Sequence, residues 1–68
     1  MNKTYRKTQA VASSLLSAAG IDPDAARYVL EYRANFTPSQ LRLHAQDVVP
    51  EALAAQYDRD VQRLFQGG

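Results

Sequence analysis

The chain has 68 residues, no cysteine, no tryptophan, one histidine and a formal net charge of +1. One domain is the ceiling at that length, and a domain so small buries only about 60% of the surface its unfolded chain exposes, which leaves no second lobe to form a cleft. Without cysteine there is no disulfide, thiolate metal site or thiol nucleophile, and the lone His44 leaves no histidine pair for a metal or a proton relay.

Apolar residues make up 46% of the chain and charged residues 22%, the balance of a folded domain and not of a disordered one. Ala, Leu, Gln and Arg are plentiful and β-branched residues few, which points to helices. The first helix is predicted over about 4–19. Tyr5, Thr8, Ala12, Leu15, Leu16 and Ala19 form its inward stripe with Val11 beside it, and Gly20 stops it. Residues 1–19 also carry a faint secretory-signal pattern, but Ser13 and Ser14 interrupt the apolar stretch, and the reading stays with a helix of the domain.

Pro23, Pro38 and Pro50 each suit the first position of a helix, where the missing N–H costs nothing. Asp22 is a good N-cap before Pro23, and Thr37 with Gln40 makes a capping box around Pro38. Val49 is a poor cap before Pro50, although Glu51 favours the helix dipole. Apolar residues stand two before each proline (Ile21, Phe36, Val48) and three after it (Ala26, Leu41, Leu53), the positions of a hydrophobic staple. Three further helices follow, over about 23–34, 38–46 and 50–65. The last is the most regular, with Leu53, Tyr57, Val61, Leu64 and Phe65 on one face and Asp58, Arg59 and Arg63 on the other, where Asp58 and Asp60 read as solvated. Short connections bring successive helices together. The expected fold is all-α, a single domain over 1–68 with frayed ends at 1–3 and 66–68, its four helices in an orthogonal, irregular bundle. Its core candidates are Val11, Leu15, Leu16, Ile21, Val29, Leu30, Phe36, Leu41, Leu53, Tyr57, Val61 and Leu64.

The charge is uneven: residues 1–34 hold five basic groups against three acidic, and residues 35–68 three against four. Lys3, Arg6 and Lys7 cluster at a helix start, where cations oppose the macrodipole, and read as an anchor for an anionic partner. Tyr28 and Tyr32 lie one turn apart beside Arg33, the composition of an interface hot spot. Between Leu15 and Val29, helix, glycine turn, apolar residue and helix resemble a helix-turn-helix. That resemblance implies that Asp24, Arg27, Tyr28 and Glu31 face bases while Lys3, Arg6 and Lys7 approach phosphates, although Asp22, Asp24 and Glu31 would repel the backbone. His44 reads as a boundary residue. There is no Gly-x-Ser-x-Gly elbow and no phosphate-cradling glycine loop, and the terminal Gly67-Gly68 lacks the β-grasp context of a carrier tail.

The expectation is therefore a cytoplasmic, non-enzymatic interaction or regulatory module that binds a larger protein, without metal, cofactor or membrane. Its contacts would be Arg27, Tyr28, Glu31, Tyr32 and Arg33, with Lys3, Arg6 and Lys7 beside them. The alternative is a small DNA-binding regulator that uses helix 23–34. It would be a homodimer, since one helix on one half-site gives little affinity.

Overall fold

Four helices make up 73% of the computed structural model, which describes residues 3–66. They are α1 (Tyr5–Ala18), α2 (Asp24–Ala34), α3 (Pro38–Leu43) and α4 (Glu51–Gln66). The described residues contain no strand, and none of their helices is long and apolar enough to cross a membrane. The expectations for residues 1–2 and for the Gly67-Gly68 tail lie outside the described residues.

Local chemistry at the helix ends explains the boundaries. α1 starts at Thr4, whose hydroxyl accepts from the Lys7 N–H at 3.2 Å. Two more of its first-turn donors, the N–H groups of Tyr5 and Arg6, reach the carbonyls of Asp47 and Ala45 at 3.0 and 2.9 Å. After α1 ends at Ala18, Gly20 with φ +78° lets the Gly20 and Ile21 N–H groups turn back to the carbonyls of Ser17 and Leu16. The start of α2 is held by the Asp22 carboxylate, which accepts from the Asp24 N–H at 3.0 Å. Its end uses Asn35 at φ +57°, with Phe36 N–H returning to the Glu31 carbonyl at 3.0 Å. In α3 the capping box is complete in both directions: Gln40 N–H donates to Thr37 Oγ1, and Thr37 N–H to Gln40 Oε1.

α3 is shorter than the 38–46 expected, because the chain after Leu43 has another use. Residues 44–49 fold back over the start of α1, supplying the two carbonyls above and pairing Val48 with Thr4 in an isolated antiparallel bridge. Extended backbone alternates its sides. Val49 therefore turns into the core while Val48, the expected staple residue, is half exposed. Lys3, placed by its sequence at a frayed end, accepts the Val49 N–H through its carbonyl at 2.9 Å.

The core joins Tyr5, Ala12 and Leu16 of α1, Ala26 and Leu30 of α2, Leu41 of α3, Val49, and Tyr57 and Val61 of α4. Leu16 and Leu30 are fully enclosed, and Ile21, Val29, Phe36, Leu53 and Leu64 pack against the cluster. Val11 and Leu15 correct the sequence expectation, being 46% and 53% exposed. The inward face of α1 runs through Tyr5, Ala12 and Leu16, which leaves Val11 and Leu15 on the rim of a trough towards α4. α2 lies against both α1 and α4, whereas α1 and α4 meet over only a short stretch.

Candidate partner-binding surface

With Ala26 and Leu30 committed to the core, helical periodicity turns Tyr28 and Tyr32 outward. They are 57% and 78% exposed, one turn apart. A guanidinium stands over each ring: Arg27 Cζ lies 5.0 Å from the Tyr28 centroid, and Arg33 Cζ 5.7 Å from that of Tyr32. Such cation–π pairs stiffen side chains that would otherwise sample several rotamers. Tyr28, Val29, Tyr32, Arg33 and Asp60 line a shallow depression of about 270 Å³ beside this ridge.

Arg33 is tied within its own chain. Its Nε and Nη2 donate to the two carboxylate oxygens of Asp60 on α4, the second bond at 3.0 Å, a bidentate link between helices. The Arg33 hydrogen bond holds the Asp60 carboxyl below the usual carboxylate range, and the same bond holds the Arg33 guanidinium further towards its charged form. Asp60, expected on a solvated face, is thus a tertiary contact. Glu31 is half-buried, with Oε2 enclosed and unpartnered, as is Arg27 Nε.

The three N-terminal cations do not act as one cluster. Lys3, just ahead of the helix, lines the trough of about 450 Å³ between α1 and α4 with Glu51 and Asp58. Arg6 lies instead beside Arg27 and Arg42 around a third depression of about 240 Å³, and Lys7 lines neither. Arg42 was missed as a site residue because only the return of α3 onto α1 and α2 brings it there. The neighbouring Tyr28 side chain, then the fields of Asp24 and Glu31, hold Arg27 further towards the charged form against its partial desolvation. His44 lies at the boundary, Nδ1 2.7 Å from Asp47 Oδ2, its ring stacked on Phe36 at 4.8 Å. Among the described residues no three His, Asp or Glu side chains gather to hold a metal.

Fold and surface together define an all-α domain that offers exposed side chains and open depressions. Residues 8–67 match the PrmC N-terminal domain, and the chain belongs to that family. No curated protein and no solved structure gives a significant match. The family is that of the PrmC release-factor methyltransferases, and this overturns the expectation of a non-enzymatic chain: the family points to an enzyme-associated protein. The match concerns the N-terminal domain alone.

Proposed function

We propose that this domain docks the protein substrate of a release-factor methyltransferase, holding it while methyl transfer takes place in another part of the enzyme. The observation that carries the reading is the α2 ridge of Tyr28 and Tyr32, exposed and each stacked under an arginine. Aromatic side chains braced by guanidinium groups bury large area at low entropic cost, which is how a few residues come to dominate a protein interface. Family membership supports the reading, since the substrate of such an enzyme is itself a protein. A cytoplasmic location goes with it, because release factors act where proteins are made.

The test is calorimetric titration of the full chain with a release factor. Binding is expected, and Tyr28→Ala with Tyr32→Ala is expected to weaken it about tenfold or more, with helical circular dichroism unchanged because both rings are exposed. A wild-type chain that does not bind a release factor overturns the reading. So does a double variant that binds as tightly as wild type. Salt-sensitive binding to duplex DNA in place of the release factor would support the helix-turn-helix alternative.

A further inference from the structure

Arginines from three helices meet at one depression: Arg6 of α1, Arg27 of α2 and Arg42 of α3, with Gln9 beside them and Leu41 and Ala45 on its apolar side. None of the three is in an ion pair among the described residues. Arg27 Nε is enclosed without an acceptor, and a desolvated donor is costly until one arrives. Three like charges brought together by the fold also repel one another, a cost that a bound anion relieves.

We infer that this depression seats a carboxylate side chain from an acidic segment of a protein partner. The inference rests on the docking reading above and extends it, since Arg27 joins the depression to the tyrosine ridge through the Tyr28 ring. Guanidinium forks match carboxylates in bidentate geometry, and the apolar side suits an aliphatic neighbour of the acidic residue. A nucleic-acid backbone fits less well. Asp24 and Glu31 lie close enough to act on Arg27, and a flexible acidic peptide can place one carboxylate between the arginines and keep the next away from them, which phosphates at fixed spacing along a duplex cannot.

The experiment follows the fluorescence anisotropy of a labelled glutamate–alanine repeat peptide, with a glutamine–alanine peptide and duplex DNA as comparators. The full chain is expected to bind the glutamate peptide and not the glutamine one, less tightly as salt rises. Arg6 and Arg42 are exposed, so Arg6→Gln with Arg42→Gln should leave the fold intact while weakening binding about tenfold. Arg59→Gln with Arg63→Gln on α4 should leave binding unchanged. Equal binding by the Arg6/Arg42 variant and wild type overturns the inference, as does duplex DNA that binds more tightly than the peptide through the same arginines. The two proposals fail separately. A release factor that binds wild type and the Arg6/Arg42 variant alike removes the carboxylate seat and leaves docking in place. Arginine-dependent peptide binding without release-factor binding keeps the seat and removes the docking reading.

Discussion

Helix α4 meets its two neighbours in different ways. Against α2 the seam is tied by side chains: Arg33 grips Asp60, and the Tyr57 hydroxyl donates to the Ala26 carbonyl at 2.8 Å. Against α1 it opens into a trough of about 450 Å³ rimmed by Val11 and Leu15. A domain of this size rarely nets more than about 3–5 kcal/mol. The comparison separates a sheltered, tied seam between α4 and α2 from an open one between α4 and α1, while α2 also packs closely on α1 through the enclosed Leu16 and Leu30.

Equivalent truncations on the two sides give the largest effect. Leu30 is fully enclosed, and Leu30→Ala is expected to cost about 2–5 kcal/mol, enough to unfold much of the population. Leu15 at the trough rim is half exposed, and Leu15→Ala should cost about 1 kcal/mol or less. Urea melts followed by circular dichroism compare them. Equal losses would remove the distinction between a closed side and an open one.

Tyr57→Phe sharpens the same contrast at the closed seam. The ring still fills its place in the core, so the loss is that of one buried hydrogen bond, about 1 kcal/mol. The effect depends on pH in a stated direction. Burial pushes the Tyr57 hydroxyl up to about 12, so the folded state favours its neutral form. That stability is fully present below the ordinary tyrosine value of about 10 and is lost as pH rises through the folded value. Melts between those limits should show the wild-type advantage over Tyr57→Phe shrinking with each step. A constant gap would mean that the hydroxyl is not desolvated in the fold.

These contacts also separate what was legible in the sequence from what was not. The capping box of Thr37 and Gln40 and the Asp22 cap could be read directly, because each involves groups two or three residues apart. Asn35 also carried a local signal, a residue type that tolerates the left-handed conformation, and it went unread. Arg33–Asp60 and Tyr57–Ala26 span 27 and 31 residues, and no local pattern announces them. The same holds for Arg42, which joins Arg6 and Arg27 only once α3 folds back. Tyr28 and Tyr32 were legible as a pair one turn apart, but their exposure was not, and it follows in the structure from Ala26 and Leu30 taking the buried face of α2. The link to an enzyme was hidden because the chain holds none of the short residue patterns by which catalysis is recognised, such as a Gly-x-Ser-x-Gly elbow or a histidine pair.

The smallest expected effect belongs to the remaining tie at the closed seam. Asp60→Asn keeps the shape of the side chain and removes the charge that Arg33 grips from two directions. The pair is partly open to solvent, so its contribution is modest and falls as salt screens it. Because Arg33 lowers the Asp60 pKa in the folded state, the stabilisation is present above the ordinary carboxylate value of about 3.9 and disappears as pH falls through the folded value. The variant should therefore melt below wild type at neutral pH and low salt, approach it in high salt, and approach it again as pH falls through the folded value. Arg33→Gln should reproduce the same pattern, and the double variant should lose no more than either single one, since both changes remove one interaction. A deficit that persists unchanged in strong acid would mean that the charge of Asp60 is not what Arg33 grips, and would leave the Tyr57–Ala26 hydrogen bond as the polar tie that sets the closed seam apart from the open one.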